Sequence, residues 1–447
     1  MYRRIHRLGG YLAALGICLL VICGLQALLL DQGRQEEPWA TDRGGGVKEE
    51  KGEEKKSTEE DIGGEMGNPN IRVLIMSTGY ENVAHPEVTV TAAGGLVVES
   101  GQGTEEMEAG QPLTLRPDDG RFATGKVRIQ AKDGGDLTLA SIKRGCGQPS
   151  YAGVLELRTT AEGIVIINEL PVESYLCRVV PSEMPASYEL EALKAQAVCA
   201  RSYAFRQMAE YGYPEYEAHV NDSTDYQVYG NSAVQESATK AVEETAGQVV
   251  RYQGQIVTTY YYSTSCGKTT SLEAWGTAPD ETNRYLTSVE VKDQDGDYEK
   301  DLPWYRWEAR IPVQTLSNLA GLNLGQDLGV LTNVEISETG PGGVALKVTF
   351  TGEKGSASVE TENKIRRVFG GSGYEIMKQD GTVTESQPLL PSAFFTIEKS
   401  GDVFVLHGGG YGHGIGMSQN GANEMAKKGK NYQEILTLFY QGAEIGA

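Results

Sequence analysis

A helical pattern near the middle of the chain predicts the element around which the rest of the fold packs. Apolar residues recur there at helical spacing, which predicts a long helix with one buried face. The recurring residues are Leu190, Leu193, Ala197, Ala200 and Ala204. The helix is predicted to begin near Ser187, because a serine hydroxyl can cap the free backbone N–H groups of the first turn. An apolar strand is predicted to end at Val180, and the turn between the two elements carries Glu183 between two prolines.

Glu183 therefore stands on a rigid turn in front of a helix that carries two cations. Lys194 and Arg201 are seven residues apart, which is two helical turns, so they share one face. A single carboxylate in this setting is suited to general acid/base chemistry. The two cations are equally expected as a solvated helix face or as structural partners of nearby acids, and the role of Gln196 is open in the same way.

The N-terminal residues are predicted to lie outside the folded part. An uncharged apolar run over residues 8–30 follows three arginines, and it is long enough to span a bilayer with its positive flank in the cytoplasm. Gly24-Leu-Gln and Ala27-Leu-Leu offer no good small-x-small cleavage site, so residues 1–30 are expected to be an uncleaved anchor. Residues 31–68 hold a Glu/Lys run with few apolar residues, which predicts a flexible acidic linker. The rest of the chain is then extracytoplasmic.

The net charge and the cysteine spacing argue against two kinds of function, nucleic-acid binding and zinc binding. A net charge of −21 and a pI near 4.8 argue against nucleic acid as a partner. The six cysteines are scattered without a paired Cys-x-x-Cys, so they do not indicate a zinc site. Cys199 is expected to be a small buried residue, and a Cys177–Cys199 bridge is open but is not indicated by the spacing.

Strand patterns fill much of the remaining chain. Residues 69–160 are predicted to form a β-rich part without recognisable chemistry, and residues 161–447 a core with a β-rich insertion at about 325–406. A second helix is predicted over residues 232–246 from a Ser232/Gln235 capping box, and a last helix starts at an Asn431/Glu434 box. A hairpin is expected around Gln253-Gly254. The predicted fold class is α+β, with the helices gathered around the first one and antiparallel sheet elsewhere.

Two segments in the second half of the chain are rich in hydroxyl groups or in glycine. Residues 263–270 form a hydroxyl-rich turn after three tyrosines, of which Tyr260 and Tyr262 share a face. Residues 407–422 are glycine-rich, but their G-x-G-x-G-x-G spacing departs from the dinucleotide-binding motif, which argues against a nucleotide site.

Several of these segments together resemble the stage II sporulation protein D family, also called the SpoIID/LytB domain family. They are residues 181–185, residues 191–198, the Ser265/Gly267/Thr269 turn with Trp275-Gly276, and residues 412–419. They follow the family's order and cover roughly residues 71–442. The resemblance implies a lytic transglycosylase that cuts the MurNAc–GlcNAc bond of denuded peptidoglycan strands during engulfment in sporulation. It also implies a partner cell-wall amidase and a membrane scaffold protein, and it places the catalytic group at Glu183.

A lytic transglycosylase needs one carboxyl, whereas a hydrolysing glycosidase normally uses two. The single group protonates the leaving oxygen and then takes the proton of the substrate's own 6-hydroxyl, which gives a 1,6-anhydro product. Glycan contacts are expected from Lys194, Gln196, Arg201, Tyr262, Ser263, Ser265, Thr269, His413 and Gln419. The glycine-rich segment is expected to let the backbone approach the glycan cleft, where His413 and Gln419 either contact substrate or brace Glu183. A structural role for His413 is equally expected, and Trp275 is either a sugar-stacking platform or a core residue.

Two further hypotheses stay open, because LytB-type relatives are described as amidase enhancers. The protein is then a non-catalytic glycan-binding stimulator of an amidase, or a structural anchor at the septal membrane. Some relatives carry Cys and His in the loop matching residues 219–227. Here His219 stands with Asn221 and Asp225 but no cysteine, so no metal and no cofactor is predicted.

Overall fold

The structure is a computed structural model that describes residues 67–447, apart from the side chain of Thr124. The predicted anchor over residues 1–30 and nearly all of the predicted linker over residues 31–68 lie outside the described residues. Among residues 67–447, no helix is both long and apolar enough to cross a bilayer. The described part is α+β, as the sequence pattern predicts.

The N-terminal part is built from two sheets. Its strands are β1 Asn70–Ile75, β2 Ala84–His85, β3 Val88–Ala92, β4 Leu96–Ser100, β5 Gly103–Met107, β6 Leu113–Leu115, β7 Lys126–Ala131, β8 Leu137–Leu139, β9 Ser150–Tyr151, β10 Val154–Thr160, β11 Gly163–Pro171 and, from a later loop, β12 Val220–Asn221. One sheet has the order β12-β1-β11-β10-β7-β4-β5 with β2 on β11, and the other has the order β6-β3-β8-β9. Strands β10 and β11 form a hairpin, with Thr160 paired to Gly163.

The described part contains seven α-helices, and four of them pack around the second. They are α1 Val172–Glu183, α2 Leu190–Met208, α3 Glu236–Glu244, α4 Val313–Leu324, α5 Glu362–Phe369, α6 Gln419–Lys427 and α7 Tyr432–Phe439. Helix α2 contacts α1, α3, α6 and α7. Its alanines, including Ala197, Ala200 and Ala204, are fully buried. Because a methyl side chain lets backbones approach closely, this small-residue surface allows four helices to pack on one.

Three predicted boundaries are wrong. The chain before Glu183 is helix α1 and not a strand; Pro181 is accommodated in its last turn. Helix α2 begins at Leu190, with Ser187 in the exposed turn before it. Helix α3 begins at Glu236, because the backbone N–H of Ser232 donates to the hydroxyl of Ser182 and is held outside the helix. In each case a contact with another segment overrides the local pattern.

The C-terminal half holds further short sheets. Its strands are β13 Val249–Tyr252, β14 Gln255–Ile256, β15 Tyr261–Tyr262, β16 Lys292–Asp293, β17 Gly296–Asp297, β18 Trp307–Pro312, β19 Leu331–Thr339, β20 Ala345–Gly352, β21 Gly355–Glu360, β22 Glu375–Lys378, β23 Val383–Glu385, β24 Phe395–Ser400, β25 Val403–Gly408, β26 Met417–Ser418 and β27 Glu444–Gly446. The hairpin at Gln253-Gly254 is confirmed, with both residues at positive φ. The capping box of Asn431 and Glu434 is also confirmed.

Residues 307–406 have a hydrophobic core of their own. Strands β23-β22-β18-β25-β24 form one sheet and β19-β20-β21 another. Phe350, Phe369 and Phe404 are fully buried within this second core. The principal core instead joins the N-terminal sheets to the helices around α2.

One short parallel pairing positions the candidate site. Strand β15 pairs with β26, so that Tyr261 lies opposite Met417 and Tyr262 opposite Ser418. The two strands are more than 150 residues apart in the chain. The pairing brings the hydroxyl-rich turn and the glycine-rich segment together beside the start of α6.

Candidate active site

Glu183 is the last residue of α1, and its half-buried side chain is held by a loop. The backbone N–H of Val228 donates to Oε1 of Glu183 at 2.6 Å. The same loop is anchored to the preceding residue, because the N–H groups of Asn231 and Ser232 both donate to the hydroxyl of Ser182 at 3.1 Å. One backbone N–H thus orients the carboxyl directly, and the loop that supplies it is fixed to the neighbouring residue, which suits a group that must transfer a proton in one direction.

Gln419 supports Glu183 from the C-terminal side. Its Nε2 donates to the backbone carbonyl of Glu183 at 3.0 Å and to Oε1 of Gln196 at 3.4 Å. Gln196 is fully buried, and its own Nε2 has no hydrogen-bond partner within residues 67–447. The structure therefore brings Glu183, Gln196 and Gln419 together, and Gln419 adopts the bracing role.

Arg201 does not lie where a glycan can reach it, which corrects the prediction of substrate contact. Its guanidinium is fully buried and pairs with both carboxylate oxygens of Glu173, at 2.7 and 2.8 Å. It also donates to the carbonyls of Val242 and Gln248. A buried cation needs such partners, because an unpaired buried charge is costly. Arg201 thus joins α1 to α3.

Lys194 is likewise held in structural ion pairs. Its Nζ lies 2.8 Å from Oε1 of Glu191 and 2.7 Å from Oε2 of Glu244. Only 14% of its side chain is exposed. Lys194 thus pairs with nearby acids, which is one of the roles expected for it. The pair with Glu244 links α2 to α3.

The predicted hydroxyl-rich loop is buried. Tyr262, Ser263, Ser265 and Thr269 are each less than 10% exposed. The Thr269 hydroxyl accepts the N–H of Val289 at 2.9 Å, and the Ser265 hydroxyl donates to the carboxyl of Glu299. These side chains hold the segment in shape, and a glycan would meet them only at their edges.

A buried carboxyl that the sequence analysis missed lies under this turn. Glu299 accepts the backbone N–H of Ser265 at 2.9 Å on Oε1 and its hydroxyl on Oε2, and it accepts the hydroxyl of Ser418 at 2.8 Å. Burial raises the pKa of Glu299 to about 7, although its hydrogen bonds to Ser265 and Ser418 act in the opposite direction. In the sequence, the run Asp297-Tyr-Glu299-Lys-Asp301 is typical of an exposed turn and gives no signal of this role.

His413 is held between two backbone groups. Its Nδ1 accepts the N–H of Ile415 at 3.1 Å, which leaves Nε2 to donate to the carbonyl of Tyr261 at 2.9 Å. The ring lies 5.2 Å from that of Trp275. Trp275 itself packs edge-on against Tyr260 and donates its Nε1–H to Glu362. His413 and Trp275 thus both make structural contacts, which is one of the two roles expected for each.

His219, in the loop considered for a metal, is bonded to other parts of the protein. His219 accepts the N–H of Arg72 on Nδ1 at 3.0 Å and stacks on Tyr211. Burial and the Arg72 charge lower the pKa of His219 to about 4. Within residues 67–447, no three His, Cys, Asp or Glu side chains are grouped so as to hold a metal ion. The four cysteines of the same residues are free, and Cys199 is buried as expected.

Comparison with known proteins identifies the family of the chain. The family model described as stage II sporulation protein matches residues 160–252, the segment that carries Glu183 and α2. The chain is 31% identical over 296 residues to stage II sporulation protein D of Bacillus subtilis, covering 62% of this chain and 75% of that protein. The chain belongs to the stage II sporulation protein D family.

Other similarities extend beyond sporulation proteins. An amidase enhancer of Bacillus subtilis is 30% identical over 290 residues, which are 60% of this chain and 39% of that protein. An uncharacterised protein of Brachyspira hyodysenteriae is 31% identical over 300 residues, covering 66% of this chain and 72% of that protein. A model for a domain of unknown function matches residues 277–416, which include the second hydrophobic core. Two family models thus match successive parts of this chain, residues 160–252 and residues 277–416.

Proposed function

We propose that the protein is a lytic transglycosylase that cleaves the MurNAc–GlcNAc bond of denuded peptidoglycan strands, with Glu183 as the only general acid/base. The observation that carries the proposal is the fixing of Glu183 from two directions, by the Val228 N–H on its carboxyl and by Gln419 on its carbonyl. The surrounding segment is the one that matches the family.

In the proposed reaction one carboxyl serves twice. Protonated Glu183 gives its proton to the glycosidic oxygen as the bond from that oxygen to the anomeric carbon breaks. The carboxylate then takes the proton of the 6-hydroxyl on the same sugar, and that oxygen bonds to the anomeric carbon to close the 1,6-anhydro ring. The enzyme returns to its protonated state and no water is consumed. Holding the carboxyl in one plane lets it face both oxygens without reorganising.

The proposal includes a place and partners. The charged and apolar pattern of residues 1–30 supports an uncleaved anchor with a cytoplasmic N-terminus, which puts Glu183 on the wall side of the membrane. Family membership supports a role in wall remodelling during sporulation engulfment. The similarity to a protein named amidase enhancer supports a cell-wall amidase as partner, since removal of stem peptides supplies denuded strands. A membrane scaffold protein of the engulfment machinery completes the proposed assembly.

The test uses the full-length chain with purified denuded glycan strands and mass spectrometry of the products. The expected products end in 1,6-anhydro sugars, and Glu183→Gln abolishes them because an amide cannot exchange the proton. Glu189→Gln is the matched control, since it makes the same change on an exposed side chain six residues further on. Anhydro products from Glu183→Gln at the wild-type rate would overturn the assignment.

A second function is favoured by the burial of the predicted sugar-contacting hydroxyls together with the similarity to the amidase enhancer. In that case the protein binds glycan and stimulates an amidase without cleaving the strand. The two functions separate in one assay with a purified cell-wall amidase. Faster peptide release with no anhydro ends would indicate the enhancer, and anhydro ends without amidase would indicate the transglycosylase.

A further inference from the structure

Gln227 is buried directly beside the backbone N–H that holds the Glu183 carboxyl. That N–H belongs to Val228 and donates to Oε1 of Glu183 at 2.6 Å. Gln227 is only 1% exposed, although it lies in a polar loop. A buried amide needs partners for its polar atoms, so the partners of Gln227 indicate what it holds in place.

The Gln227 amide is bonded to three separate elements. Its Nε2 donates to the backbone carbonyl of Ala200 on α2 at 3.4 Å and to the hydroxyl of Tyr261 on β15 at 3.2 Å. Its Oε1 accepts the hydroxyl of Tyr175 on α1 at 3.3 Å. A backbone carbonyl can only accept, so Nε2 must face Ala200, which sets the orientation of the amide. The side chain therefore fixes the loop to α1, α2 and β15 at one point.

The anchoring of Gln227 controls the direction of the Val228 N–H. The atoms from Cα of residue 227 to Cα of residue 228 lie in one plane, so the N–H turns with residue 227. On the other side of Val228, Tyr229 is fully buried and donates its hydroxyl to Oδ1 of Asn168 at 2.6 Å. The half-buried Val228 is thus held between two anchored neighbours. Its hydrogen bond to Glu183 keeps its length and direction only while these anchors hold.

We infer that Gln227 is a positioning residue for Glu183 and acts through the Val228 N–H. This inference rests on the proposed function. In the proposed reaction Glu183 is ionised once it has protonated the leaving oxygen, and an N–H donor favours that ionised form. Loosening the N–H should therefore slow the breaking of the glycosidic bond and raise the pH at which Glu183 titrates. It should not change how tightly the glycan binds.

The other titratable groups near Glu183 keep their protonation state while it titrates. The phenols on which its charge acts are Tyr80, Tyr175, Tyr203 and Tyr261. Burial is the largest cause that raises the pKa of each of these phenols, so all four stay protonated. Arg144 and Asp222, which act on Tyr80, form a buried ion pair at 2.6 Å. Asp225, exposed on the same loop, acts on Tyr203 and is present in every variant.

The experiment compares Gln227→Met with Asn221→Leu in the full-length chain. Methionine keeps the approximate size of the side chain at position 227 but removes its hydrogen bonds. Asn221 is the matched control, because it is a fully buried amide six residues earlier in the same loop and donates to the hydroxyl of Tyr213 at 2.8 Å. Carbon-13 NMR of labelled glutamate, assigned with Glu183→Gln, follows the titration of Glu183 without needing activity.

Gln227→Met should raise the midpoint of the Glu183 titration by about one pH unit, the effect of weakening a hydrogen bond to a charged group. It should also lower kcat about tenfold with little change in KM. Asn221→Leu should leave the midpoint, kcat and KM unchanged, although it also removes a buried hydrogen bond from the loop. Gln227→Asn keeps an amide on a shorter side chain and is the milder variant if Gln227→Met does not fold. It should shift the midpoint in the same direction.

A higher midpoint that is confined to the variants at position 227 supports the inference. An unchanged midpoint in those variants, or an equal shift in Asn221→Leu, would overturn it and leave the proposed function intact. If instead the wild-type chain makes no anhydro product or Glu183→Gln stays active, the proposed function fails. The NMR titration then still decides whether Gln227 positions the Glu183 carboxyl.

Discussion

Replacing Glu299 by glutamine should make the stability of the protein less dependent on pH. Glu299 is fully buried beneath the turn at Ser265 and is bonded to Ser265 and Ser418. Glutamine has the same size and keeps one oxygen that can accept the Ser265 N–H, so it imitates the protonated acid. The variant therefore isolates the cost of ionising this carboxyl inside the protein.

The magnitude follows from the pKa of Glu299, which burial raises from 4.5 to about 7. A group whose pKa is higher in the folded state holds its proton more tightly there than in the unfolded chain. Its contribution to the free energy of unfolding is thus complete below about pH 4.5 and is lost as the pH rises to about 7. At about 1.4 kcal/mol for each pH unit, the loss is about 3 kcal/mol.

The assay is urea unfolding of wild type and Glu299→Gln at pH 5, 6, 7 and 8, followed by tryptophan fluorescence. Because the two proteins share every other titrating group, the difference between their unfolding free energies cancels those contributions. The difference should shift in favour of the variant by about 2.5 kcal/mol between pH 5 and pH 8, because part of the loss already lies below pH 5. A difference that stays constant over this range would refute the reasoning.

Glu156→Gln provides the contrasting control. Glu156 is also buried, but its ion pairs with Arg158 and Arg72 outweigh burial and lower its pKa to about 2. It stays ionised in the folded and unfolded chain between pH 5 and pH 8. The same chemical change should therefore destabilise the protein by an amount that does not vary over that range.

Two further predictions test the structural roles assigned above. In the same urea assay, Arg201→Met should lower the free energy of unfolding by about 3–5 kcal/mol, because it leaves its carboxylate partner on the preceding helix unpaired. Lys194→Met breaks more exposed pairs and should lower it by about 1 kcal/mol or less. Equal losses for the two variants would contradict the assigned roles. Gly412→Ala should cost about 3 kcal/mol, because φ is +115° and the new methyl would lie 2.7 Å from Cβ of Tyr262. Gly429→Ala, at φ +84° with no atom near the new methyl, should destabilise the protein by only about 1 kcal/mol. Melting temperatures of the two variants check this, and similar losses at both sites would show that the contact between Gly412 and Tyr262 does not restrict residue 412.

The local sequence pattern was enough to predict those elements whose stabilising contacts lie within a few residues of one another. The alternating strands of the N-terminal part, the apolar face of α2 and the hairpin at Gln253-Gly254 all follow from period and turn chemistry. The capping box at Asn431 does too, because both of its bonds lie within one helical turn.

Elements that depend on distant segments were not predictable in the same way. The apolar residues around Val180 suit a buried strand as well as a buried helix, and only packing against α2 decides between them. Glu299 gains its role from Ser265 and Ser418, which are 34 and 119 residues away. Similarly, Arg201 was identified as a helix-face cation, but its burial follows from the position of α3.

The support that Gln419 gives Glu183 joins residues 236 positions apart. Synthesis starts at the N-terminus, so Glu183 leaves the ribosome long before the segment that supports it. Closing so long a loop is slow, and it cannot start until synthesis is almost finished. We therefore expect chains that end before Gln419 to lack this support for Glu183, so that the order of translation delays completion of the candidate site until nearly the whole chain exists.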